Sequence, residues 1–258
     1  MLDPESLSMF VWLAVGAIFL VAGLGHGILG LGFPMLSTPL LAILIDIRGA
    51  ILLTLLPTIT VNLISILRGG RWSESIGRYW PLALMIPLGS VLGTWLLISG
   101  DPEPFRLLLA GIILLHLAND RLRGIRLGWV HTRPWLAYLL FGLAAGISAG
   151  TVNVMVPLLI IFALELGMAP LVMVQVFNLC FLAGKAAQVG AFGYSGVLTL
   201  PLLIATLPLA AAAAGGLIVG MGVRDRVDGE TYRLWLRRVL VVLAIVLIGQ
   251  YFVGLWDA

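Results

Sequence analysis

Hydrophobic positions along this chain fall in long unbroken blocks, and polar positions gather in the short gaps between them. From Met9 to Ile45 there is no Asp, Glu, Lys or Arg over 37 residues. Further apolar runs follow at Ala50–Leu67, Tyr79–Ser99, Arg106–Ala118, Trp135–Leu164, Pro170–Phe192, Val197–Val223 and Leu234–Trp256. A helix needs about 20 apolar residues to cross the hydrocarbon core. A spanning segment must also satisfy its own backbone hydrogen bonds, which favours helices. The pattern therefore predicts an all-α polytopic membrane protein.

Composition agrees and excludes a nucleotide site. Only 10% of the residues are charged, against about 25% in soluble domains. Gly25, Gly27 and Gly30 have the spacing of a dinucleotide fingerprint, and Asp46 lies where its ribose-binding acid would fall. Such a loop must follow a strand of a soluble sheet; here it sits inside an apolar run. One cysteine, Cys180, excludes an internal disulfide. Three dispersed histidines beside it make no metal site, and no cofactor is expected. The acidic start Met1–Ser6 lacks the basic region of a standard signal peptide. The basic balance, with a pI near 9.4, does not point to nucleic acid. Of 15 Lys and Arg, 12 fall in three short loops, where they read as topology signals.

The chain also echoes itself. Gly23, Gly27 and Ile28 match Gly142, Gly146 and Ile147 at a constant offset. Gly32, Pro39, Leu40 and Leu41 match Gly150, Pro157, Leu158 and Leu159 one residue closer. Asn62-Leu63 answers Asn178-Leu179, Pro81-Leu82 answers Pro201-Leu202, and Pro87-Leu88 answers Pro208-Leu209. Two halves are expected, 1–118 and 135–258, joined by a basic linker, 119–134. Arg68–Arg78, the linker and Arg224–Arg238 carry the positive charge and should be cytoplasmic. Both termini should then be outside. Each half is expected to be a re-entrant-like helical hairpin, Met9–Ile45 or Trp135–Leu164, followed by three crossings. Two tandem units with an odd number of crossings lie upside-down to each other, as in many secondary transporters.

On this reading the glycine stretches Gly23–Pro34 and Gly142–Asn153 are hairpin bends whose tips enter from opposite faces and meet. Non-helical backbone at that depth is tolerated only inside protein or beside a water-lined cavity. Pro34 suits a first helical turn, Ser37 and Thr38 add hydroxyls, and Thr151 and Asn153 could cap the matching helix. Helix N-termini favour anions. The candidate substrate-binding set is Gly27, Gly30, Gly32, Ser37, Thr38, Asn62, Gly146, Gly150, Thr151, Asn153, Gln175, Asn178 and Lys185.

Each has a blander alternative. Lys185, the only lysine, is an anion ligand or snorkels to the outer interface. Asn62 and Asn178 are amide donors lining a cavity or interhelical hydrogen bonds, and Gln175 shares the Asn178 face. His26 is a coupling residue, since imidazole titrates near neutrality, or is bonded to nearby backbone. The spacings Gly142-x₃-Gly146-x₃-Gly150 and Gly89-x₃-Gly93 usually signal close helix contact. Trp72, Trp80, Trp129, Trp135 and Trp256 fit an interfacial aromatic belt.

The stretch AGLGHGILGLGFPMLSTPLL, its echo FGLAAGISAGTVNVMVPLL, and TVNLISILRGGRW followed by YWPLALMIPLGSVLGTWLL resemble the sulfite exporter TauE/SafE family. The resemblance covers essentially the whole chain. It implies a bacterial permease with a duplicated core that moves sulfite, thiosulfate or an organosulfonate. The expectation is a secondary transporter of such an anion, working by alternating access at a midplane site between the tips. A proton or sodium ion is the expected coupling partner, and the lipid bilayer the medium. The alternatives are an anion channel and, further off, an intramembrane enzyme or sulfur-relay partner built on Cys180.

Overall fold

The computed structural model describes residues 8–122 and 127–256. Among the described residues the chain is helical throughout, with no strand. In order the helices are α1 (Met9–Leu29), α2 (Phe33–Leu44), α3 (Ile47–Gly69), α4 (Ile76–Ser99), α5 (Glu103–Leu122) and α6 (Trp129–Thr132). The rest are α7 (Pro134–Val152), α8 (Val156–Glu165), α9 (Pro170–Tyr194), α10 (Leu200–Ala205), α11 (Leu207–Val223) and α12 (Gly229–Trp256). Seven segments are long and apolar enough to cross a membrane: α1, α3, α4, α7, α9, α10 with α11, and the apolar part of α12. Helix α5, expected as a crossing, is not among them. It carries Glu103, Arg106, Asp120 and Arg121 within its 20 residues.

Local chemistry sets the boundaries. Ser8 and Asp46 cap α1 and α3, their side chains accepting from the N–H groups of Val11 and Gly49. Pro34, Pro134, Pro157 and Pro170 occupy first turns, where a missing N–H is harmless.

Two interruptions fall inside the expected hairpins. The first is Gly30–Gly32, between α1 and α2, with φ of 81° at Gly30 and 107° at Gly32. The second is Asn153–Met155, between α7 and α8, opened by Asn153 at φ 61°. Both are narrower than the expected bends. Gly23, Gly27, Gly142, Gly146 and Gly150 lie within helices and serve another purpose.

That purpose is close packing. On α1, a Cβ at Gly23 or Gly27 would overlap the carbonyls of Ala213 or Leu217 on α11. From α11, Gly216 and Gly220 press on the Leu20 and Leu24 carbonyls. The α4–α7 crossing repeats the device: Gly89 and Gly93 lie against Leu143 and Ile147, and Gly146 and Gly150 against Ile86 and Ser90. Both pairs run parallel, since residue numbers rise together along them. Small residues let backbones approach where lipid supplies no hydrophobic drive.

Helices α3 and α9 meet antiparallel. Gln175, early in α9, donates to the carbonyls of Ile66 and Gly70 at the end of α3, at 3.2 and 2.9 Å. Helices α5 and α12 are antiparallel too, through Arg106 to Gln250 and Arg237 to the Leu117 carbonyl. The buried apolar side chains form two clusters. One gathers α1, α2, α3, α5, α11 and α12, and also takes in Leu97 of α4, Val152 of α7 and Phe192 of α9. The other gathers α4, α7, α8 and α9. Packing thus exchanges α4 and α11 between the halves of the chain.

Candidate transport site

The two breaks attach to the α3–α9 seam at different levels. On α9, Asn178 donates to the Gly30 carbonyl at 2.9 Å and Gln188 to the Gly150 carbonyl at 3.1 Å. Ten residues separate these anchors, about 15 Å of helix. On α3, Ser65 bonds His26 and Thr54 bonds Asn153, eleven residues or about 16 Å apart. On α2 itself, Asn153 reaches Thr38, about 8 Å from the start of that helix. The expectation that the tips meet is therefore corrected: the long arms α1 and α7 carry each break past the other. With hydrogen bonds of about 3 Å, one small oxyanion cannot touch both helix ends.

At the first break the start of α2 is tied up, although the N–H groups of Leu31 and Gly32 have no acceptor among the described residues. The Phe33 N–H donates to His26 Nδ1 at 3.3 Å. Met35 and Leu36 donate back to the Gly32 carbonyl, and Pro34 has no N–H. Ser37 Oγ returns to the Phe33 carbonyl at 2.9 Å. The first turn of α2 thus has no free donor.

Nearby amides leave buried oxygens without a donor. Asn178 commits both amide hydrogens, to Gly30 and Val174, and Gln175 commits both of its own to α3. Asn62 commits one to the Thr58 carbonyl at 2.6 Å. Because a backbone carbonyl only accepts, these amide orientations are fixed. The oxygens left over, Asn62 Oδ1, Asn178 Oδ1 and Gln175 Oε1, are buried without a donor among the described residues. Asn178 therefore has no N–H left for an anion, whereas Asn62 keeps one.

The second break is open. The backbone N–H groups of Val154, Met155 and Val156, all fully buried, have no acceptor among the described residues. Ser148 Oγ donates to the Val154 carbonyl and pins the corner. Thr151 and Asn153 do not cap α8 as expected. Thr151 Oγ1 bonds the carbonyls of its own helix. Asn153 ends α7 in the left-handed conformation, and its amide bridges Thr38 Oγ1 and Thr54 Oγ1 at 2.7 and 2.8 Å.

Lys185 stands beside this break. It is 2% exposed, so it does not snorkel. Its ammonium donates to Gln188 Oε1, whose amide holds Gly150. No carboxylate among the described residues pairs with it. Its neighbour Gly184 lies against Met155 and Ser90, and Ser90 Oγ donates to the Gly184 carbonyl at 2.8 Å. Thr94, beside Gly150 and fully buried, has an unpartnered hydroxyl. An unneutralised ammonium at bilayer depth costs about 2.5–3.5 kcal/mol. A bound anion removes that cost.

The model of the family described as sulfite exporter TauE/SafE matches residues 15–250, nearly the whole chain. The chain belongs to this family. It is therefore a multi-pass membrane protein of a permease family for sulfur anions. No curated protein and no solved structure matches it. In this TauE/SafE chain, sequence reasoning missed Ser90, Thr94, Thr54, Thr58 and the Val154–Val156 amides. The hydroxyls did leave a signal. Ser90 and Thr94 follow Gly89 and Gly93 directly, and Thr54, Thr58 and Asn62 recur every four residues on one face of α3.

Proposed function

We propose that this TauE/SafE protein is a secondary transporter of a small sulfur-containing anion, sulfite, thiosulfate or an organosulfonate, held at the second break. One observation carries the reading: Lys185 is buried, bears no carboxylate partner and stands beside a helix start with free backbone N–H groups. A full positive charge together with the positive end of α8 favours an oxyanion. Thr94 adds a hydroxyl, and Gln188 orients the ammonium.

The antiparallel α3–α9 and α5–α12 pairs and the two parallel glycine-packed crossings support a pair of inverted units, 1–118 and 135–258, in which α5, despite its charges, crosses beside α12. The two apolar clusters, rather than the chain halves, are the bodies that rock against each other in alternating access. The proposed setting is a bacterial inner membrane with both termini outside.

The test is counterflow of labelled sulfite, thiosulfate, taurine and sulfoacetate in proteoliposomes. Saturable exchange of at least one, lost in Lys185→Met with the protein still folded, is the expected result. Equal exchange in Lys185→Met refutes the site. Absence of saturable flux for every anion refutes the transport reading.

A further inference from the structure

The first break places a buried imidazole, His26, where the second has a lysine. Resting on the transport reading above, we infer that His26 is the binding site of a coupling proton, carried in symport with the anion.

The hydrogen bonds fix the state of the ring. The Phe33 N–H is only a donor, so Nδ1 is the unprotonated nitrogen. Nε2 then bears the hydrogen and donates to Ser65 Oγ at 3.1 Å. His26 is 1% exposed, and no carboxylate among the described residues bonds it. Other titratable or charged groups are few on every element packed around it. Helices α2 and α11 carry none. Helix α3 carries Arg48 and Arg68, the latter exposed, and α9 carries Cys180, Lys185 and Tyr194. The turn Arg224–Arg226 lies at the surface.

A proton taken from water goes onto Nδ1, while the Nε2 hydrogen stays in place. The product is an imidazolium, and the Phe33 N–H can no longer donate to the ring. The new Nδ1–H needs an acceptor. The Asn178 carboxamide lies beside the ring, and its Oδ1 is buried and unpartnered. Asn178 also holds the Gly30 carbonyl, and the Gly30 N–H returns to the His26 carbonyl at 2.6 Å. Proton binding therefore exchanges the bond that fastens α2 for one that fastens α9. That gives two arrangements of one corner, which coupling requires. A proton here and an anion beside Lys185 occupy separate places in one low-dielectric interior, and their opposite charges favour joint occupancy.

The experiment loads proteoliposomes with a pH-sensitive dye, clamps the membrane potential and applies an inward gradient of thiosulfate, which is fully ionised at neutral pH. The wild-type protein is expected to acidify the lumen as thiosulfate enters. In His26→Gln the acidification is lost while labelled thiosulfate exchange persists. Flux without acidification in the wild type, flux that follows a sodium gradient instead, or acidification surviving in His26→Gln each overturns the proton site and leaves the transport reading standing. No thiosulfate flux in the wild type, with none for the other anions, overturns both. Should His26→Gln not fold, ¹⁵N-histidine spectra of the wild type decide. One imidazole must pass from the Nε2–H form to imidazolium across the pH range in which flux changes. If none does, the proton site is refuted.

Discussion

The two breaks share a scaffold and differ in chemistry. Each ends a long helix in the left-handed conformation, starts a short one with proline in its first turn, and lies beside a parallel pair of helices in glycine contact. At the first, glycines supply the positive φ, His26 takes the Phe33 N–H, and amide oxygens are left over. At the second, an asparagine supplies it, three N–H groups stay free, and a lysine stands by without a counter-ion. The two corners thus have similar backbones, and a handful of side chains set them apart.

The scaffold is tested first because its effect is largest. Gly150→Leu on α7 and Gly220→Leu on α11 drive side chains into backbone carbonyls that cannot move aside. Overpacking costs about 1–3 kcal/mol or more. Both variants should lose monodisperse protein on size exclusion, and to the same extent. A tolerant Gly220→Leu beside an intolerant Gly150→Leu would break the equivalence.

Lys185→Met sharpens the difference in chemistry. Losing a charge-assisted contact worth about 1.5–3 kcal/mol lowers anion counterflow about 10- to 100-fold. Arg68, which lies near the corresponding place in the first half, is exposed, and Arg68→Met should leave counterflow unchanged.

Backbone conformation gives a smaller effect. At Asn153, Gly and Ala both lose the bonds to Thr38 and Thr54, but Ala adds about 1–2 kcal/mol of left-handed strain. Asn153→Ala should melt below Asn153→Gly in a thermal scan. Gly32→Ala should show the same strain although nothing lies within 4 Å of its added methyl. Least of all, Thr94→Val should raise the anion KM about fivefold, near 1 kcal/mol, without lowering thermal stability. Thr58→Val, whose hydroxyl is also unpartnered but lies on α3, should leave KM alone.

Much of the fold was legible because charge exclusion is a strong signal: the run from Met9 to Ile45 demanded helices and a turn inside the membrane. The breaks were legible only to within a few residues. Glycine serves close approach at Gly27 and Gly146 and positive φ at Gly30 and Gly32, and the letter alone does not separate these uses. Asparagine at 153 hid the second break among good helix formers. The depth of each tip depended on arm lengths that only the exact break positions define. The polarity of Asn178 was out of reach for a different reason. Which end of a carboxamide remains free depends on the backbone carbonyls beside it, and those belong to the fold. The burial of Lys185 likewise depends on how α4, α7 and α9 close around it.

The exchange of α4 and α11 has a consequence for assembly. The glycine face of α1 waits for a partner that emerges from the ribosome only near residue 223. Until then the earliest helix sits among lipids or chaperones with its close-contact surface uncovered. The last third of the chain therefore completes the packing of the first, and truncation after the linker leaves the glycine face of α1 without its partner.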